Sequence, residues 1–152
     1  MRPLLARPLV LIALLALDRL TKVWALRKLE PVGSIPVAPF FHLTYVENTG
    51  AAFGIGRARN GFFIGLSFVL LAGLFYMQRS WPKENRWLRT GLLLVVAGAV
   101  GNLYDRLAYG FVVDFLDFRV WPVFNVADSC VTVGAGLLAW GLHLEDRRGT
   151  AA

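Results

Sequence analysis

The chain has 152 residues, of which 57 % are hydrophobic and 17 % charged, with a formal net charge of +6 and a mean hydropathy of +0.56. Charged residues make up about a quarter of an ordinary soluble domain, so this composition excludes that class and points to an integral membrane protein. The basic excess does not make a nucleic-acid surface, because the lysines and arginines flank apolar runs, and the single cysteine, Cys130, excludes an internal disulfide or a cysteine metal site.

Arg2 and Arg7 precede an apolar stretch beginning at Pro8. No small-residue cleavage site follows, and the helical pattern continues to Leu26, so 8–26 is expected to be an uncleaved first span of about bilayer length. Arg19 and Lys22 should reach the interface beside Trp24. Asp18 is too short to do so and should face protein, with an arginine the expected partner; a structural ion pair and a site role both stay open for it.

The connection 27–60 opens with Pro31, Gly33, Pro36 and Pro39, which forbid a helix. Phe41 to Val46 then alternates with period two, predicting a strand with Phe41, Leu43 and Tyr45 on one face. His42 falls on the opposite face and is assigned no role. Asn48, followed by Thr49-Gly50-Ala51-Ala52-Phe53-Gly54, carries a donor and an acceptor among small residues that admit a close neighbour. On spacing alone this is a turn, with a binding role as the alternative.

A second span is expected over 61–77, uninterrupted by charge. The short loop 78–89 carries Arg79, Lys83, Arg86 and Arg89 against Glu84 and is bracketed by Trp81 and Trp87, the pattern of a cytoplasmic connection. A third span follows over 90–107, with Gly91, Gly98 and Gly101 thinning it for close helix contact. Trp121-Pro122 is read as the opening of a fourth, over 122–143, because proline is tolerated in a first helical turn. The expected fold is therefore a single all-α membrane domain, 1–152, with four transmembrane helices. Both termini fall in the cytoplasm, Trp24 and Trp121 mark the outer interface, and Trp81, Trp87 and Trp140 mark the inner one.

The segment 101–128 holds four aspartates, two asparagines and two arginines between two apolar runs, where polar groups usually have a task. Asn102, Asp105 and Arg106 share one helical face by their i, i+3, i+4 spacing, and Asn125 and Asp128 repeat the i, i+3 step. Asp114 lies between them in Phe111-Val112-Val113-Asp114-Phe115, a loop or short strand. Two helices thus aim carboxylates at one more. Four readings stand on spacing alone: an aspartic hydrolase sharing one proton between two carboxylates; a Mg²⁺-dependent phosphoryl-transfer enzyme; an ion or proton path; and structural pairing with Arg106 and Arg119.

Five motifs in chain order resemble those of the lipoprotein signal peptidase family, the type II signal peptidases of bacterial inner membranes. They are Asp18-Arg19-Leu20-Thr21-Lys22, the asparagine-glycine motif Glu47-Asn48-Thr49-Gly50-Ala51-Ala52-Phe53-Gly54, Gly101-Asn102-Leu103-Tyr104-Asp105-Arg106, Gly110-Phe111-Val112-Val113-Asp114-Phe115 and Phe124-Asn125-Val126-Ala127-Asp128. The resemblance implies an aspartic endopeptidase that cuts a prolipoprotein before its diacylglyceryl-modified cysteine, with membrane lipid around it, no cofactor, no metal and no nucleic-acid partner, acting as a monomer. By motif it makes Asp114 and Asp128 the catalytic pair. Asn48, Asn102, Arg106 and Asn125 would position substrate or pair, and Asp18 and Asp105 would support the site. It further implies a small extracytoplasmic β-sheet cradle, a mobile loop over the site, and an active site near the outer face.

Overall fold

The computed structural model describes residues 3–50, 57–82 and 84–149; the 51–54 part of the asparagine-glycine motif lies outside them. The chain is mostly helical, with one small antiparallel sheet at one end. Helix α1 spans Pro3–Lys28, strands β1 and β2 span Ser34–Ala38 and Phe41–Asn48, and helices α2 and α3 span Arg57–Met77 and Arg86–Ala108. Strand β3 is Val112–Asp117 and helix α4 is Val126–Gly149. Among the described residues three helices are long and apolar enough to cross a membrane: Asn60–Ser80, Arg86–Ala108 and Val126–Arg148.

Leu29, just after helix α1, is fully buried, and the chain turns at Gly33 with φ +75. The prolines that rule out a helix after it do not rule out a strand: β1 is the sheet edge, where Pro36 needs no partner for an N–H it lacks, and the register shifts between Pro36 and Ala38. Strand β2 is the centre of the order β1-β2-β3. Leu43 and Tyr45 pack on a core of Ala25, Leu29, Val113 and Phe115, and Phe41 meets Phe118 at 4.8 Å, but exposure does not alternate, since Phe41 to Val46 are all half-buried and the register with β3 shifts between Leu43 and Val46. The sheet is thereby fixed to the C-terminal end of α1.

Helix α3 starts at Arg86, earlier than the apolar run suggests, because Asn85 caps it: its Oδ1 accepts the backbone N–H groups of Trp87 and Leu88 at 3.0 and 3.2 Å. Helix α4 starts later than expected. Trp121-Pro122 does not open it, since Phe124 still pairs with Leu116 across an isolated bridge, and the helix begins only after Asn125. The glycines on α3 do serve close contact. A Cβ at Gly91 would stand 2.7 Å from the Gly134 carbonyl oxygen on α4, and one at Gly101 would stand 2.6 Å from Asp18 Oδ2 on α1.

Candidate active site

Strand β3 carries Asp114 inward, 1 % exposed, between the end of α3 and the start of α4. Asn48 at the end of β2 donates from Nδ2 to Asp114 Oδ2 at 2.8 Å, and Asn125 donates from Nδ2 to Asp114 Oδ1 at 2.7 Å. Asn125 also closes the first turn of α4. Its Oδ1 accepts the Asp128 backbone N–H at 2.9 Å while Asp128 Oδ2 accepts the Asn125 backbone N–H at 3.2 Å, a reciprocal cap that needs an acceptor at both positions. Asn102, from α3, donates from Nδ2 to Asp128 Oδ1 at 2.7 Å. The i, i+3 spacing of Asn125 and Asp128 is thus a helix cap as well as a site geometry.

All four carboxylate oxygens of Asp114 and Asp128 therefore receive one N–H, leaving a lone pair on each for water or substrate. Burial pushes the Asp114 carboxyl up to about 6, and the charge of Asp128 adds to the rise. The hydrogen bonds from Asn48 and Asn125 and the cation of Lys22 work in the opposite direction. Two carboxylates in one polar cluster, one of them titrating near neutrality, can hold a single proton between them.

Behind this pair lies a second layer. Lys22 is fully buried, with Nζ 3.1 Å from Asp18 Oδ2, 3.0 Å from Asp105 Oδ2 and 2.9 Å from Asn102 Oδ1. Arg19 pairs with Asp105 Oδ1 at 2.7 Å, donates to the Tyr109 hydroxyl at 2.7 Å and lies over the Tyr104 and Tyr109 rings. Asp18 accordingly meets a lysine where an arginine was expected, and Lys22 does not reach the interface. The signal was present in the sequence: Lys22 stands at i+4 from an acid that has to face protein, so it shares that face.

Arg106 stacks its guanidinium 5.0 Å from the Phe63 ring of α2 and lies in the field of Asp128, Asp114 and Asp105. Among the described residues it forms no contact ion pair with them, and Arg119 pairs with Asp117 at 3.3 Å. Asp117 is taken up by Thr44 and by the turn at Arg119. Among the described residues no group of three or more His, Cys, Asp or Glu side chains is placed to hold a metal ion. The structure therefore brings Asn48, Asn102, Asp114, Asn125 and Asp128 into one hydrogen-bonded cluster, sets Asp18 and Asp105 behind it, and leaves Arg106 beside it.

The family described as Signal peptidase (SPase) II matches residues 10–144. A lipoprotein signal peptidase of Desulfitobacterium hafniense is 49 % identical over 135 residues, covering 88 % of this chain and 89 % of that protein. One from Moorella thermoacetica is 44 % identical over 140 residues, covering 90 % and 93 %, and one from Symbiobacterium thermophilum 45 % over 145 residues, covering 92 % and 95 %. A solved structure described as a bacterial membrane enzyme superposes with a TM-score of 0.82 at 32 % identity, covering 90 % of this chain and 92 % of the other.

Proposed function

The chain belongs to the signal peptidase II family, and on that premise we propose that it is an aspartic endopeptidase in which Asp114 and Asp128 activate water. Removal of signal peptides from prolipoproteins is the activity of this family. The substrate is a diacylglyceryl-modified prolipoprotein, cut before its lipidated cysteine. The observation that carries the reading is Asn125, which donates from its amide to Asp114 and exchanges backbone and side-chain hydrogen bonds with Asp128, so that one residue ties the two acids together.

The ionised carboxylate takes a proton from water as the oxygen attacks the scissile carbonyl carbon, and the protonated carboxyl donates to the carbonyl oxygen. A proton then passes to the leaving nitrogen as the C–N bond breaks, and no acyl-enzyme forms. Burial favours Asp114 as the member that keeps the proton. Asn48, Asn102 and Asn125 fix the pair, and Asp18 and Asp105 support it. Arg106, which pairs with no aspartate among the described residues, offers its planar fork to a substrate carbonyl. The chemistry calls for neither metal nor cofactor.

The setting follows from the same reading. Helix α1 is a fourth span, since the charges in its second half are neutralised inside the bundle: Lys22 between two aspartates, Arg19 on Asp105. The chain is then one monomeric domain of four spans in the bacterial inner membrane, surrounded by lipid, with both termini cytoplasmic. The cluster lies at the outer face, where a lipid-tethered peptide is held at interface depth and the acids need not enter hydrocarbon. The test is a gel-shift cleavage assay on diacylated and non-acylated precursors in parallel. Asp114→Asn and Asp128→Asn are expected to fold and to lose about 10²- to 10⁴-fold in cleavage of the diacylated form. Normal turnover by either variant removes the pair from the chemistry.

A further inference from the structure

Each of the three asparagine amides that face the aspartates has its direction decided by whatever holds its oxygen. Asn48 Oδ1 accepts the Gly50 backbone N–H at 2.8 Å, and Asn125 Oδ1 accepts that of Asp128 at 2.9 Å. Asn102 Oδ1 instead accepts from a side-chain cation, Lys22, at 2.9 Å, with Asn125 Nδ2 at 3.2 Å beside it. We propose that Lys22 is a positioning residue of the active site: its ammonium turns the Asn102 amide so that the NH₂ faces Asp128, and its two carboxylate partners hold the backbone in front of each catalytic aspartate.

The first half rests on donor chemistry. An ammonium has three protons and no acceptor, so only the oxygen of the Asn102 amide can face it. A flipped amide would set NH₂ against ammonium and oxygen against the Asp128 carboxylate, unfavourable at both ends. Lys22 has no exposed surface, and its three protons are matched by Asp18, Asp105 and Asn102, so it has no second orientation to adopt.

The second half rests on what those carboxylates hold besides Lys22. Asp18 Oδ1 accepts the Ala127 backbone N–H at 3.0 Å, and Asp105 Oδ2 accepts that of Val113 at 3.2 Å. Ala127 immediately precedes Asp128 and Val113 immediately precedes Asp114. One buried cation therefore reaches both members of the pair by three routes. Its charge also draws the Asp114 carboxyl down against the effect of burial. Of the charged groups, Asp18 on α1 and Asp105 on α3 pair with it and Asp114 on β3 feels its charge, while Arg19 on α1 pairs with Asp105, and Asp128 on α4 and Arg106 on α3 act on Asp114 and on each other.

The inference rests on the aspartic-pair reading, and the experiment separates the two. The full chain in detergent is assayed on a diacylated precursor for kcat, KM, pH profile and Tm. Lys22→Met leaves two buried carboxylates facing each other and is expected to lower Tm. In Lys22→Met/Asp18→Asn the excess charge is gone, Arg19 still pairs with Asp105, and the introduced amide keeps an oxygen for the Ala127 N–H. We expect the double variant to regain most of the Tm while kcat stays about 10- to 100-fold down, with KM within about twofold. The alkaline limb of its pH profile should move to higher pH, because Asp114 has lost a cation that favours its ionised form. Recovery of kcat together with Tm, or an unmoved limb, overturns the proposal. Asp114→Asn, measured alongside, decides the level of failure. If it cleaves normally, the aspartic pair itself falls; if it is inactive while the Lys22 variants match the parent, only the role of Lys22 falls.

Discussion

Asp18 Oδ1 accepts the backbone N–H of Ala127 at 3.0 Å, so a carboxylate on the first helix closes the N-terminal turn of the last. The first turn of any helix has N–H groups without an intrahelical partner and a positive dipole end, both of which favour an anion. Asp18 is 4 % exposed and its other oxygen pairs with Lys22 at 3.1 Å. Asp18→Asn keeps an oxygen for Ala127 and loses the ion pair; Asp18→Ala loses both. Removing one partner of a buried pair costs about 3 kcal/mol or more, so Asp18→Ala is expected to lower Tm strongly and Asp18→Asn less. Equal losses in thermal unfolding would mean that the cap on α4 contributes nothing.

The pH dependence follows from Asp114. Its carboxyl is pushed up to about 6 in the folded chain from 3.8, chiefly by burial. The folded state thus binds this proton more tightly than the unfolded one, and stability falls as pH rises from 3.8 through about 6. The singly protonated pair is lost over the same upper range, so kcat should decline on an alkaline limb. Asn48→Ala removes a hydrogen bond that favours the ionised form and should carry that limb to higher pH. A pH–rate profile checks the sign: a limb that moves to lower pH contradicts it.

Much of this site can be read from the chain because its signals are local. The spacing of Asn102 and Asp105 puts both on Lys22, and that of Asn125 and Asp128 is the reciprocal cap at the head of α4. The period-two pattern of β2 gives the face that Leu43 and Tyr45 bury. What stays hidden depends on partners far along the chain. The i+4 step from Asp18 puts Lys22 on the face of that acid, but its contacts with Asp105 and Asn102 come only from the folded chain. Trp121-Pro122 resembles a helix start until Leu116 pairs with Phe124 and keeps the chain extended. Pro36 speaks against a helix, and only the sheet shows that an edge strand accommodates it.

Hydrolysis by two carboxylates draws its nucleophile from water without a Lewis acid. Cleavage of the diacylated precursor is therefore expected to persist in excess chelator. Loss of activity that Mg²⁺ restores would instead favour a metal-dependent reaction and remove the aspartic reading.

The contact between α3 and α4 sets where Asp128 sits, and Gly98 is the position that tests it. A Cβ there would run into the Ala127 carbonyl oxygen and stand 2.7 Å from Val131 Cγ2. The oxygen belongs to backbone and cannot rotate aside as a side chain would, so the first turn of α4 has to move. Overpacking of this kind costs about 1–3 kcal/mol, and because Asp128 follows Ala127 directly, a displacement of about 1 Å at the carboxylate is enough for about a hundredfold loss of rate. Gly65 on α2 is the matched control: a Cβ at that position meets nothing within 4 Å. Gly98→Ala should lower both Tm and cleavage while Gly65→Ala leaves both unchanged. Parent-like activity and Tm in Gly98→Ala would mean that Asp128 does not depend on the close approach of these two helices.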